Sequence, residues 1–173
     1  ERGVDGFRLD TINFYMHDKE LRDNPALPAA ERNDQTAPKV NPYNHQRHIY
    51  DKNHPQNVEF LRKLRTLMNG YNAAAVGEVG DSQRGLEILG EYTSGADKMQ
   101  MSYAFEFLSG HEPLSARYFK EVFDKVSAVA ADGWACWAYS NHDVVRHISR
   151  WDLSAASARL YATLMMCLRG SVC

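Results

Sequence analysis

The stretch "GVDGFRLDT", residues 3–11, ends an apolar run on a bare carboxylate. Val4, Phe7 and Leu9 alternate with Asp5, Arg8 and Asp10, a period that suits a short strand with one side buried. In a parallel sheet both faces are covered, so Arg8 and Asp10 at the carboxyl end are costly to bury unless they meet each other or a ligand. Two readings stay open on this stretch alone: a satisfied Arg–Asp pair, or a carboxylate held for a ligand.

Outward from it, strands alternate with helices. "NVEFLRKLRTLMNG" (57–70) places Val58, Leu61, Leu64 and Leu67 or Met68 on one helical stripe and stops at Gly70. "AAAVGEV" (73–79) reads as a buried strand, 82–91 as a helix, "KMQMS" (98–102) as a strand and "SARYFKEVFDKVSAVAA" (115–131) as a helix. "WACWAYS" (134–140) is a further strand and "SAASARLYATLMMCLR" (154–169) a further helix, after which "GSVC" should begin another strand. Such alternation means parallel βαβ units, in an open doubly wound sheet or in part of a barrel. Residues 22–57, rich in Pro, Asn, Asp and His, break the pattern and read as a lid, a binding loop or a disordered insertion.

Composition narrows the class. With 173 residues, 44% hydrophobic and 24% charged, the chain has the make-up of a soluble globular protein with one substantial core. A net charge of −2 gives no footprint for nucleic acid or an anionic membrane, and no apolar run approaches the ~20 residues of a membrane span. Cys136, Cys167 and Cys173 have no paired metal-ligand spacing, so a reducing compartment, the cytoplasm, is the simpler assignment. Without an initiating Met, and opening and closing on strands, the chain reads as a piece of a longer protein.

The strand-end carboxylate recurs. "VGEVGD" puts Glu78 at the end of the second strand, and "YSNHD" puts Asp143 after the fourth. That end of a parallel sheet is where substrates bind. "GVDGFRLD", "VGEV" and "SNHD", in this order, resemble three signature segments of the α-amylase superfamily of glycoside hydrolases (family 13), and in detail its bacterial α-glucosidase branch. The resemblance covers essentially all of 1–173 and implies a catalytic (β/α)8 TIM barrel from its fourth strand to the start of its eighth, with 22–57 inserted after the fourth strand. The family's segment at the third strand falls before residue 1.

By this resemblance, Asp10 is the nucleophile, Glu78 the acid/base and Asp143 the stabiliser of the oxocarbenium-like state, in a retaining mechanism. Arg8, two residues before Asp10 and on the same strand face, keeps the nucleophile ionised. Val76, Val79 and the charge of Asp10 raise the pKa of Glu78. His142 hydrogen-bonds the sugar and Thr11 points to α-1,4 rather than α-1,6 linkages, while Phe105, alternating with Tyr103 and Phe107 beyond the third strand, reads on its own pattern as either core or a sugar-stacking wall at the entrance. The implied activity is exo-acting hydrolysis of terminal α-1,4-linked glucose from maltose, sucrose or short oligosaccharides, with transglucosylation onto other hydroxyls, and no cofactor or metal. The alternatives are an oligo-1,6-glucosidase or another α-glucan- or sucrose-active member, and a non-catalytic scaffold resembling transporter heavy chains, which lose catalytic acids. A metal-dependent hydrolase wants His-x-His or His–acid clusters on strand ends, which this chain lacks.

Other residues read as ordinary. His45 and His48 are expected as a solvated pair, Trp134 and Trp137 as packing between sheet and helices, and "FLRKLR" as a solvated helix face. "GHEP" (110–113) has no second His four positions on and fails as a zinc-protease motif.

Overall fold

The computed structural model describes residues 3–32, 40–108 and 113–173. Five parallel strands form one sheet in the order β1 (Gly6–Leu9), β2 (Ala74–Gly77), β3 (Met101–Ala104), β4 (Ala135–Trp137), β5 (Ser171–Val172). Spatial order follows chain order throughout. A doubly wound sheet reverses its strand order at a switch point, whereas a barrel wall adds each strand beside the last. The topology therefore decides for a segment of (β/α)8 barrel wall over the open doubly wound alternative.

Helices return the chain between strands: α1 (Gln56–Gly70), α2 (Gly85–Thr93), α3 (Ala116–Val129), then α4 (His147–Arg150) and α5 (Ala155–Met166) together. On α1 the stripe is Val58, Leu61, Leu64 and Met68, while Leu67 faces out. Spacings of three and seven from Leu61 keep Leu64 and Met68 on one face, and position 67 rotates off it. Ser115 and Ser154 cap α3 and α5 by accepting the Tyr118 and Ser157 backbone N–H groups. Two cores hold the layers together. Ala75, Leu61, Met68, Ile88 and Tyr92 fill the first, and Phe107, Phe119, Val122, Trp137 and Tyr139 the second, where Trp137 stacks on Phe107 at 5.1 Å.

Several elements differ from expectation. The third strand starts at Met101 rather than 98, because Lys98 pairs with Asp97 and Met99 N–H donates to Tyr92 O in the turn before it. The fourth strand stops at Trp137, after which Ala138 and Tyr139 stay buried but leave the ladder. Trp137 packs as expected, but Trp134 is exposed, bonded to Ser171 Oγ and lying under Arg169. The "FLRKLR" face is pinned rather than merely solvated: Arg62 pairs with Asp97, and Arg65 donates to Lys98 O.

Within the insertion, Ala26 bridges Gln46, and Asn24 Oδ1 accepts the Ile49 and Tyr50 N–H groups. His48 is not solvated: its ring stacks on Tyr43 at 3.9 Å, between Asp51 and Tyr43 O, because a polar loop with few apolar side chains closes on whatever ring surfaces it has. Residues 33–39 of the insertion and residues 110–112 of "GHEP" lie outside the described residues. Among the described residues, no helix is long and apolar enough to cross a membrane.

Candidate active site

Leu9 and Gly77 are the last paired residues of β1 and β2, so Asp10 and Glu78 leave the sheet side by side. The backbones stay knitted beyond that point: Glu78 N–H donates to Leu9 O at 2.9 Å and Ile12 N–H to Glu78 O at 2.8 Å. Alternation along β1 puts Arg8 on the face of Asp10. Its guanidinium bridges the two acids, with Nη1 on Asp10 Oδ1 and Nη2 2.7 Å from Glu78 Oε2. The Arg–Asp pair is therefore present, and Arg8 also reaches a second acid.

The two carboxyls sit in unlike surroundings. The Asp10 side chain is 71% exposed and that of Glu78 only 8%. Burial, and then the hydrogen bond with Asp10, push the Glu78 carboxyl above its ordinary value, while the Glu78 hydrogen bond and then the Arg8 guanidinium hold Asp10 below its own. Of the two acids, Glu78 is thus the one that keeps its proton longer as pH rises. Thr11 N–H also donates to Glu78 Oε2, at 3.2 Å. It can do so because Thr11 has left-handed backbone angles, φ 38° and ψ 51°, rare for a β-branched residue.

His142 and Asp143 arrive from the turn after β4. His142 adds a weaker attraction to Asp10, and its Nε2 lies 3.6 Å from Asp143 Oδ2. The Asp143 side chain is 63% exposed. Among the described residues no hydrogen bond joins it to Asp10 or Glu78; it stands six residues beyond the end of β4. Between the ends of β1 and β4 lies a cavity of about 210 Å³ lined by Arg8, Tyr103, Phe105, Ser140 and His142. Phe105 thus stands on the wall of a space open to the Arg8 side of the carboxyl pair. No group of three or more His, Cys, Asp or Glu side chains stands close enough to hold a metal ion, among the described residues.

Behind the pair is a polar network that strand-end reasoning missed. Asn13 is fully buried; its Oδ1 accepts Gly80 N–H at 3.0 Å, and its Nδ2 donates to Asn53 Oδ1 at 2.9 Å and Gly80 O at 3.4 Å. Asn53 Nδ2 donates to Asp81 Oδ2 at 2.8 Å, and Lys52 Nζ pairs with the same oxygen at 3.2 Å. Asn57 Nδ2 holds Ile12 O at 2.8 Å. The one available sequence signal was an asparagine between Ile12 and Phe14, a polar group in an apolar setting that demands partners.

A parallel sheet that adds its strands in chain order, with two carboxyls side by side at its carboxyl end, is a stretch of (β/α)8 barrel wall. The family described as alpha amylase, catalytic domain, matches residues 1–173, and the chain belongs to it. It is similar to a probable alpha-glucosidase of Rhizobium meliloti (strain 1021), 63% identical over 178 residues, covering 100% of this chain and 32% of that protein. An alpha-glucosidase of Candida albicans is 32% identical over 191 residues, covering 99% of this chain and 31% of that protein. The crystal structure of an alpha-glucosyl transfer enzyme, XgtA, matches with a TM-score of 0.83 at 43% identity, covering 99% of this chain and 32% of that one. The chain therefore spans about a third of the length of these relatives.

Proposed function

We propose that the protein carrying this chain is a retaining, exo-acting α-glucosidase on small α-glucosides or oligosaccharides, with 1–173 as part of its catalytic barrel domain. The observation that carries this reading is the Asp10–Glu78 pair on one guanidinium, one carboxyl exposed and the other buried. The relatives named alpha-glucosidase support it. Asp10 Oδ attacks the anomeric carbon as the glycosidic C–O bond breaks, and the proton of Glu78 passes to the leaving oxygen. The Glu78 carboxylate then takes a proton from water, whose oxygen displaces Asp10 and regenerates both groups. A sugar hydroxyl in place of water gives transglucosylation.

Retaining sites hold their carboxyls about 5–5.5 Å apart, wider than a direct hydrogen bond. Admitting an anomeric carbon therefore requires one carboxyl to rotate, and for the exposed Asp10 that means letting go of its Arg8 contact. Asp143 and His142 approach the sugar hydroxyls from the turn after β4, and Phe105 with Tyr103 offers a ring face to the sugar beyond the scissile bond. Thr11 beside the nucleophile supports α-1,4 preference, and three free cysteines support a cytoplasmic location.

The test is Asp10→Asn and Glu78→Gln in the full-length enzyme, assayed with a chromogenic α-glucoside in the presence of chelator. Turnover falls by several orders of magnitude in each variant, and the wild type releases the α-anomer first, as read by NMR. Near-wild-type rates in Asp10→Asn, or initial β-anomer, sink the reading.

A further inference from the structure

We infer that Asn13 is a positioning residue for this reaction, its amide clamping the turn after β1 to the turn after β2 so that Asp10 and Glu78 keep their mutual placement. The inference rests on the glucosidase reading and deepens it.

Gly80 presents an N–H and a C=O, and the Asn13 amide meets both, at 3.0 and 3.4 Å, as one strand residue meets another. Of the short side chains only an amide offers acceptor and donor together in that geometry. Asn13 is fully buried and Gly80 half-buried, and the contact joins positions 67 residues apart. A buried amide that loses these partners is left unsatisfied, so the pairing holds the two turns at one separation. Both turns follow directly from the carboxyl-bearing positions.

The rest of the Ile12–Asn13 segment is held to match. Asn57 takes Ile12 O, Ile12 N–H goes to Glu78 O, and Asn53 N–H donates to Asn13 O at 2.8 Å. With both sides pinned, Thr11 is forced through its left-handed conformation, which turns its N–H onto Glu78 Oε2. A strained residue of this kind persists only where its surroundings over-determine it. The Lys52–Asp81–Asn53 contacts extend the clamp to the foot of the insertion before α1. The charged groups that face Glu78 are Arg8 and Asp10, both carried by the β1 end, so their distance from Glu78 depends on what Asn13 holds.

The experiment uses the full-length enzyme with Asn13→Ala and Asn13→Asp. Three quantities are read: kcat and KM separately, the pH profile of kcat/KM, and the Glu78 carboxyl titration by carbon NMR, assigned by its absence in Glu78→Gln. Both variants lose about tenfold or more in kcat while KM moves less than about threefold, because misplacement of reacting groups costs rate rather than binding. The basic limb and the Glu78 titration both fall toward the ordinary glutamate value as burial and the Asp10 contact loosen. Asn13→Asp regains activity at the acidic end, where its protonated carboxyl again offers both an acceptor and a donor.

A role confined to core filling lowers the melting temperature and leaves both pH readouts in place, and that result overturns the inference. Should Asn13→Ala fail to fold, the isosteric Asn13→Asp carries the test. The Glu78 titration reports on Asn13 whether or not turnover is seen, whereas failure of the glucosidase reading shows in Asp10→Asn alone.

Discussion

One methylene separates aspartate from glutamate, so the unequal protonation of Asp10 and Glu78 has to come from their surroundings. Burial is the largest influence on Glu78 but ranks behind the hydrogen bonds at Asp10, and the shared hydrogen bond moves the two in opposite directions. On the proposed glucosidase reading, activity needs Asp10 ionised and Glu78 protonated. The kcat/KM profile of the full-length enzyme should therefore rise as pH climbs through a value below 3.8 and fall through one above 4.5, the ordinary values of the two acids. Glu78→Gln should abolish the basic limb. The same shift has a stability sign: the contribution of Glu78 is full below its unfolded pKa and is lost as pH rises through the higher folded one. Replacing Glu78 with Gln should flatten the decline of melting temperature on the rising side, and an unchanged slope would remove Glu78 as its source. Thr11 offers a second residue-level check. Its backbone is already left-handed, so Thr11→Val keeps shape and strain and changes only hydroxyl to methyl beside the nucleophile. The ratio of isomaltose to maltose hydrolysis should rise by an amount worth about 1–3 kcal/mol in transition-state preference. An unchanged ratio would take the Thr11 side chain out of the linkage argument and leave only its N–H.

At the scale of elements, the turn from Asp10 to Phe14 does more than any strand to define the site. Ile12 is fully buried against the backbone of β2, and a Cβ on Gly77 would run into the Ile12 side chain. Gly77→Ala should push this turn outward, costing about 1–3 kcal/mol as overpacking does. Because that movement also carries Asp10 from Glu78, kcat should fall beyond what the loss of melting temperature explains; a melting shift with normal kcat would show the turn to be independent of the pair. This tight packing also explains what was legible beforehand. Arg8, Asp10 and Glu78 could be read because period-two alternation and strand ends are local signals, and the βα units because α1, α3 and α5 carry clear start or stop residues. Asn13 and Gly77 could not, since their partners Gly80 and Ile12 lie some 65 residues away and nothing in the neighbouring sequence encodes the pairing. Strand ends were misplaced where apolar residues continue past the ladder, as Ala138 and Tyr139 do, because burial and pairing part company at a sheet's edge. His48 escaped for a related reason: stacking on Tyr43 is a contact that loop composition does not announce.

For the whole molecule, the order of strands that makes a barrel wall also leaves this chain with two sheet edges. β1 pairs with β2 and β5 with β4, and in the described structure neither has a partner on its other side. Val4 and Phe7 at the β1 edge are 56% and 51% exposed, and an apolar edge strand with free N–H and C=O groups is a template for pairing with another chain. The inward face is thin as well. Gly6 and Ala74 add almost no side-chain volume beside Arg8, Val76, Met101 and Tyr103 on this face, which in closed barrels is filled from all the strands together. The carboxyl pair lies within 1–173, but the space lined by Arg8, Phe105 and His142 has, among the described residues, no opposing wall to fix the far end of a ligand. Positioning supplies much of a glycosidase's rate, up to about 7–11 kcal/mol of barrier in well-oriented systems. The isolated 173-residue chain should therefore associate through its edges and show no appreciable glucosidase activity, while a full-length enzyme containing it stays dispersed and active. Size-exclusion chromatography, thermal unfolding and a chromogenic α-glucoside assay on the two proteins side by side check this. A monomeric, cooperatively unfolding isolated chain with normal turnover would mean that five strands close a working site on their own, and that the opposing wall contributes neither stability nor substrate placement.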